Sequence, residues 1–205
     1  MKASVGIYQK LQNQSEVVYN IICMKSFAYY QQKLYIAQVD EKNNVIGKVE
    51  RWQAHKKAVL HLGYTVVLTY KNQFVIQHRK HLVFNKYYDL SFSSHQIYKN
   101  QNLQTDLEAI YEGLEREWNI FKKDLIGIPK KKGQIYYKVK DPISVFSEHE
   151  IDIIYQADLK YLPNPNLDYC FGFELIDKEI FISGKSTFTK LAPWVFVLLK
   201  EKLIK

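Results

Sequence analysis

The sequence has 205 residues, of which 47% are hydrophobic and 24% are charged, and its formal net charge is +8. This composition is typical of a globular domain with one core, and it excludes a disordered chain. No apolar run approaches the ~20 residues that a membrane-spanning helix needs, so no membrane partner is expected.

Two further features bear on the compartment and the surface. The N-terminus lacks a basic segment followed by an apolar one, so no secretory signal is expected. Cys23 and Cys170 are far apart, which favours a reduced, cytoplasmic protein over a disulfide framework. The excess of lysine is scattered. The two lysine groups, Lys122–Lys123 and Lys130–Lys132, are predicted to be loop or helix-end surface, so nucleic-acid binding is disfavoured.

The first strand patterns begin after residue 33. Leu34–Val39 alternates apolar and polar residues, Asp40–Asn44 is a polar turn, and Val45–Gly47 resumes a strand. Leu62–Tyr70 and Phe74–His78 are rich in β-branched and aromatic residues and flank a polar turn, which predicts a hairpin. The preceding residues, 1–30, indicate either an added helix or strand or a partly disordered arm.

Thr105–Trp118 has the clearest helix pattern of the chain. Its apolar residues recur at helical spacing: Leu107, Ile110, Tyr111 and Leu114. Thr105 and Glu108 have the spacing of a capping box, and Asn119 is suited to end the helix in the left-handed conformation.

The C-terminal third predicts more strands and a last helix. The predicted strands are Gln134–Val139, Ile151–Ala157 and Tyr169–Leu175, with a turn at Pro163–Asn166. Pro193–Ile204 is predicted to be a closing helix with proline near its first turn. Strands around one central helix, with a second helix at the end, predict an α/β sandwich.

Three histidines and two glutamates stand at informative places. His55 and His61 flank a short segment before a predicted strand, and His95 lies in the loop before the central helix. Glu148 and Glu150 begin a predicted strand, where residues two apart share a face. Such a set of nitrogen and oxygen donors suits a divalent ion. Taken singly, a histidine is more often a hydrogen-bonded structural residue, and two alternating glutamates more often form a solvated face.

Four segments, in order, resemble motifs of the type I isopentenyl-diphosphate isomerases of the Nudix superfamily. They are VDEKNNVIGKVERWQAHKKAVLHLGYTVVL, SSHQ, SEHEIDIIYQADLKYLPNPN and TKLAPWVFVLL. The resemblance spans residues 36–200. It implies an α/β (α+β) fold, a Nudix-type α/β/α sandwich with a mixed sheet and one central helix, formed by residues 36–205. Residues 1–35 are then an extension that covers the site, mediates a homodimer, or does neither.

The resemblance also implies roles for individual residues. One divalent metal ion is held by His55, His61, His95, Glu148 and Glu150. Glu117 helps to hold a second, substrate-linked magnesium ion, and Arg51 and Arg79 contact a diphosphate. The catalytic residues are Ser93, Glu150, Tyr137 (Tyr136 if the alignment slips by one) and Trp194. The expected cofactor is Mg²⁺, with Mn²⁺ or Zn²⁺ as alternatives at the histidine-rich site.

The sequence departs from the family in two places. Ser93 stands where the family has its catalytic cysteine, and a hydroxyl is a far weaker acid than a thiol. Of the Nudix-box carboxylates that bind metal, only Glu117 is present, because Gly113 and Arg116 occupy two of the other places. Arg116 either points inward, where it opposes a cation, or points to solvent.

Three functions therefore stay open. The first is an isomerase that converts isopentenyl to dimethylallyl diphosphate with reduced activity. The second is a Nudix hydrolase of nucleoside diphosphate derivatives, because Tyr88–His95 also resembles the W-D-L-S-x-G-G-H pattern of one subgroup. The third is an inactive, ligand-binding Nudix domain. In all three, the expected partner is a small diphosphate.

Overall fold

The computed structural model describes residues 28–185 and 187–204. Residues 28–31 are helical, and Lys33–Lys205 forms one compact unit. Cys23 and the polar stretch near the N-terminus lie outside the described residues, and the boundary at residue 36 stays a prediction. Within the described ranges, no helix has the length and apolarity to cross a membrane.

The domain contains eleven strands and four helices among the residues from 33 onward that the structure describes. The strands are β1 (Tyr35–Val39), β2 (Val45–Glu50), β3 (His61–Tyr70), β4 (Gln73–Arg79), β5 (Tyr88–Asp89), β6 (Phe92–Ser94), β7 (Tyr98–Lys99), β8 (Asn102–Leu103), β9 (Lys130–Lys140), β10 (Ser147–Leu159) and β11 (Cys170–Asp177). The helices are α1 (Arg51–Lys57), α2 (Asp106–Trp118), α3 (Lys178–Ile182) and α4 (Pro193–Lys200), with a 3-10 turn at Lys122–Asp124.

Strand β3 is the centre of a nine-stranded mixed sheet. It pairs in parallel with β10 and antiparallel with β1, β4 and β6. The outer strands β2, β9 and β11 pair with β1, β10 and β4 respectively. Nearly every residue of β3 is buried, which is typical of a strand covered on both faces.

The two longer helices cover opposite faces of this sheet. Val66 of β3 belongs to one apolar core together with Leu114 of α2. Its neighbour Val67 belongs to a second core together with Leu198 of α4. Because successive strand residues point to opposite faces, the sheet lies between the two helices. The predicted α/β/α sandwich with a mixed sheet and a central helix is confirmed.

The ends of the central helix α2 are as the sequence predicts. The Thr105 hydroxyl accepts from the backbone N–H of Glu108, and the Glu108 carboxylate accepts from the backbone N–H of Thr105. Asn119 ends the helix with φ of 51°. The closing helix is shorter than predicted, since it ends at Lys200 and Lys202 takes a φ of 53°.

Three local predictions need correction. Helix α1 was not predicted, because two turns are too short for a periodic pattern; the Glu50 side chain starts it by accepting from two backbone N–H groups. Lys130–Lys132 belongs to β9 rather than a loop, and the sheet edge that β9 forms tolerates lysines. Ser93 and Ser94 lie in β6, paired with β3, rather than in the loop before α2.

Candidate metal centre

Four elements bring the predicted ligands to one end of β3. His55 comes from the last turn of α1, His61 is the first residue of β3, and His95 directly follows β6. Glu148 and Glu150 lie on the same face of β10, and the parallel register pairs Glu150 with His61. The fold thus joins side chains that are remote in the sequence.

These side chains form a compact donor cluster. One ligand atom from each of His55, His61, His95 and Glu148 lies within 4.8 Å of the others. Oε1 of Glu150 lies 3.1 Å from Nε2 of His61 and 2.9 Å from Nε2 of His95. All five residues are buried or half-buried. The cluster can hold a divalent ion.

The hydrogen bonds of His61 test whether a cation fits. Its Nδ1 lies 2.7 Å from the carbonyl oxygen of Val59, which can only accept, so Nδ1 carries a proton. In the neutral imidazole, Nε2 then presents a lone pair to the Glu150 carboxylate 3.1 Å away. Two acceptors at this distance need a proton or a cation between them. The donor set therefore fits a metal ion.

Burial and charge set the protonation of the other ligands. Burial lowers the pKa of His95 to about 4, so the ring is neutral near pH 7. Burial also lowers the pKa of His55, but the Glu148 carboxylate, 3.0 Å from its Nδ1, outweighs burial, so the pKa of His55 is raised overall. Burial raises the pKa of Glu150, but the His61 and His95 rings beside its carboxylate outweigh burial, so the pKa falls well below its usual value.

Gly63 makes room for the Glu150 side chain. A Cβ at residue 63 would lie 2.6 Å from Oε2 of Glu150 and 2.9 Å from its Cδ. The same Oε2 accepts a 2.5 Å hydrogen bond from the Tyr137 hydroxyl. Because both carboxylate oxygens of Glu150 have partners, the group cannot move aside freely, and glycine is needed at residue 63.

Tyr137 connects the metal cluster to an aromatic and cationic group. Burial and the Glu150 charge raise its pKa well above the usual value, so the phenol stays protonated. Its ring stacks on that of Trp194 at 5.7 Å, and the Arg79 guanidinium lies 5.1 Å from the Trp194 ring. Tyr136, by contrast, is 55% exposed and contacts His149. Of the two tyrosines, the structure places Tyr137 in the site.

Ser93 lies in a chain of hydrogen-bonded side chains that joins two buried carboxyl groups. Its Oγ is 3.2 Å from Oδ2 of Asp89 and 2.8 Å from Oγ1 of Thr65. Oγ1 of Thr65 is in turn 2.7 Å from Oδ2 of Asp152. None of these three neighbours of Ser93 is among the site residues that the sequence predicts. Asp152 had a usable signal, since it continues the alternation of Glu148 and Glu150 along β10.

The row of side chains from Asp152 through Thr65 and Ser93 to Asp89 has three hydrogen bonds but only two hydroxyl protons. One further proton is therefore needed. With both carboxylates ionised, Thr65 and Ser93 would each donate outward, leaving no proton for the contact between their own oxygens. Asp89 already accepts hydrogen bonds from Arg79 and from the Trp194 indole. Burial and the Glu150 charge raise the pKa of Asp152 well above the usual value. Asp152 therefore carries the extra proton.

Glu117 is occupied by basic side chains of the protein. Its Oε1 lies 2.8 Å from Nη2 of Arg116, and its Oε2 lies 3.4 Å from Nε2 of His81. Burial raises the pKa of Glu117, but the Arg116 charge outweighs it and lowers the pKa to about 2. Arg116 thus points inward, not to solvent. These surroundings do not fit the second magnesium ion that the resemblance implies for Glu117.

Gly113 has no room for a carboxylate either. A Cβ there would lie 2.6 Å from the Tyr64 hydroxyl and 2.8 Å from Cε2 of Phe92. Tyr64 is fixed by its hydrogen bond to the carbonyl of Ala109. The absence of a carboxylate at residue 113 is therefore built into the packing of α2 on the sheet.

Arg51 lies one turn before His55 on α1, on the same face of the helix. It is buried, and its guanidinium lies 4.3 Å from the Trp52 ring. Its role as a diphosphate contact stays a prediction.

Known structures share the fold of the domain. No family model and no curated protein matches the sequence. A protein from Deinococcus radiodurans is similar in structure with a TM-score of 0.61 and 15% identity, over 82% of this chain and 98% of that one.

Two MutT proteins also match in structure. A MutT protein from Methanosarcina mazei has a TM-score of 0.52 and 12% identity, over 69% of this chain and 91% of that one. A MutT Nudix hydrolase from Burkholderia pseudomallei has a TM-score of 0.50 and 12% identity, over 70% and 98%. At these identities the matches show the fold alone, which is that of the Nudix hydrolases.

Proposed function

We propose that this protein is a divalent-metal-dependent enzyme of the Nudix superfamily that acts on a small diphosphate. The reaction we favour is the isomerisation of isopentenyl to dimethylallyl diphosphate. The observation that carries the proposal is the cluster of His55, His61, His95, Glu148 and Glu150, joined through Tyr137 to Trp194. A cytoplasmic enzyme without nucleic-acid or membrane partners is part of the same proposal.

Glu150 and Tyr137 supply one side of the proton chemistry. Isomerisation requires that one group protonate the alkene and that another remove a proton from the opposite side. A bound divalent ion would neutralise the diphosphate and increase the acidity of groups beside it. The ionised Glu150 carboxylate accepts a proton, and Tyr137 holds that carboxylate in place.

Trp194 is assigned to the positive charge that develops on the substrate. An aromatic face attracts a cation, and the Arg79 guanidinium, 5.1 Å from the ring centre, already uses this property of Trp194. The indole N–H donates to Asp89 at 2.8 Å, which fixes the ring plane.

Ser93 is assigned to the side of the substrate opposite Glu150. Because its hydroxyl is a weaker acid than a thiol, turnover is expected to be several orders of magnitude below that of an enzyme with cysteine there. Ser93→Cys should therefore raise the rate of isomerisation.

The test is NMR of isopentenyl diphosphate incubated with the protein and Mg²⁺ or Mn²⁺. Dimethylallyl diphosphate should form slowly with the natural chain and faster with Ser93→Cys. His61→Ala should abolish its formation, whereas Lys132→Ala, an exposed change on β9, should not. No product from either the natural chain or Ser93→Cys would reject the isomerase.

A hydrolase of nucleoside diphosphate derivatives is the second candidate. It is favoured by Asp89, which has the place of the aspartate in the W-D-L-S-x-G-G-H pattern and anchors both Arg79 and Trp194. Phosphate release from a panel of nucleoside diphosphate derivatives tests it. Release that Glu150→Gln abolishes, without isomerisation, would establish the hydrolase instead.

A further inference from the structure

We propose that the Arg116 guanidinium takes the place of a second metal ion, so that the protein binds one divalent ion and supplies the second positive charge itself. The substrate part of this inference rests on the proposed function, because it assumes a diphosphate. The number of bound divalent ions does not rest on the proposed function, because it follows from the contact between Arg116 and Glu117.

The Arg116 guanidinium is held by hydrogen bonds to Glu117 and Ser94. Nη2 of Arg116 lies 2.8 Å from Oε1 of Glu117 and 3.2 Å from Oγ of Ser94. Ser94 immediately precedes the candidate ligand His95, so Arg116 contacts the residue next to that ligand. The Tyr169 ring lies 6.0 Å from Cζ of Arg116. The side chain is only 21% exposed.

The surrounding charges oppose a further divalent ion. Burial, and after it the Arg79 charge, lower the pKa of His81. Burial lowers the pKa of Arg79, but the charges of Asp89, Glu148 and Glu117 outweigh it and raise that pKa. Glu117 is thus one carboxylate among two arginines and a neutral histidine. A divalent ion at Glu117 would have to displace Arg116 or share its carboxylate with it. Both arrangements require that the buried Arg116–Glu117 ion pair be weakened or separated.

The same arrangement suits an anion that binds both the divalent ion and the Arg116 guanidinium. A diphosphate carries more negative charge than a single divalent ion neutralises. All three arginines of the sequence, Arg51, Arg79 and Arg116, are buried or half-buried, whereas the lysines lie mainly at the surface. Arginine forms paired hydrogen bonds to phosphate oxygens. Arg116 is then a substrate-binding cation that needs no metal of its own.

The experiment counts tightly bound Mn²⁺ by electron paramagnetic resonance of the free ion, without substrate. The natural chain should bind one equivalent. Arg116→Glu should bind two, because it places a second carboxylate beside Glu117, and adding Glu117→Gln should return the count to one. Lys132→Glu, the same charge reversal at an exposed strand residue, should stay at one. A natural chain that binds two equivalents, or a folded Arg116→Glu that binds one, would overturn the proposal.

If Arg116→Glu does not fold, the Arg116→Gln variant tests whether Arg116 binds the phosphate groups. Its affinity for inorganic pyrophosphate, measured by calorimetry at fixed free Mn²⁺, should fall by about tenfold or more, as expected for a lost hydrogen bond between charged groups. Unchanged affinity would overturn the proposal. These results do not depend on isomerase activity, so a failed isomerase assay with the expected ion counts would reject the proposed reaction alone.

Discussion

Nη1 of Arg79 lies 2.5 Å from Oδ2 of Asp89, and both side chains are almost completely buried. Burial lowers the pKa of the guanidinium, but the Asp89 charge outweighs it and raises the pKa. The arginine that the sequence predicts as a diphosphate contact thus already has an anionic partner. Asp89 also accepts from the Trp194 indole, so a single carboxylate orients two predicted site residues.

Replacing Asp89 should therefore be strongly destabilising. Asp89→Ala leaves the Arg79 charge buried and unpaired, and the free energy of unfolding should fall by about 3–5 kcal/mol. Urea denaturation measures the change. Lys99→Ala removes the exposed Lys99–Glu112 pair and should cost about 0–1 kcal/mol. An equal effect of the two variants would show that the buried pair contributes no more than an exposed one.

Gly63→Ala should weaken metal binding without preventing folding. The added Cβ would displace Glu150 from His61 and His95, because it would lie 2.6 Å from Oε2. We expect about 10- to 100-fold weaker Mn²⁺ binding, as is usual when the groups that orient ligands are disturbed. Gly47→Ala is the matched control, since its Cβ would have only an ordinary 3.8 Å contact. Calorimetric titration with Mn²⁺ compares them, and equal affinities would contradict the steric argument.

Tyr137→Phe should reduce turnover more than stability. The variant keeps the ring that stacks on Trp194 but loses the hydrogen bond to Glu150. Stability should fall by about 1 kcal/mol, and turnover in the NMR assay by about 100-fold or more. Tyr136→Phe changes an exposed tyrosine on the same strand and should affect neither. Turnover lost only with Tyr136→Phe would mean that the alignment slips by one residue.

The buried Glu117 should make stability depend on pH in the acid range. Its pKa is about 2 in the folded protein against 4.5 for the free group, so its stabilisation is complete above pH 4.5 and is lost as the pH falls towards 2. The contribution is of the order of 3 kcal/mol. Glu117→Gln should flatten the stability curve between these pH values, whereas Glu115→Gln, at an exposed neighbour, should leave it unchanged. A curve of the same steepness in both variants would refute the buried ion pair.

The sequence by itself predicted most of the local structure and a set of candidate metal donors. The capping box of Thr105 and Glu108, the end of α2 at Asn119 and the strand patterns depend on neighbours within a few residues, so they are legible without the fold. The candidate donor set was predicted through a resemblance whose motifs occur in a fixed order. Helix α1 is not predicted from the sequence because its only starting signal, the Glu50 cap, is a single side chain.

The tertiary structure alone decided which charges meet. Glu150 contacts His61 across 89 residues of sequence because β3 and β10 pair in parallel in one register. Periodicity assigns a side chain to a face of a strand or helix, but it does not name the partner on the opposing element. The sequence therefore could not predict that Arg116 points inward or that Arg79 pairs with Asp89. Both depend on which side chains are buried together, since a charge buried without a partner is costly.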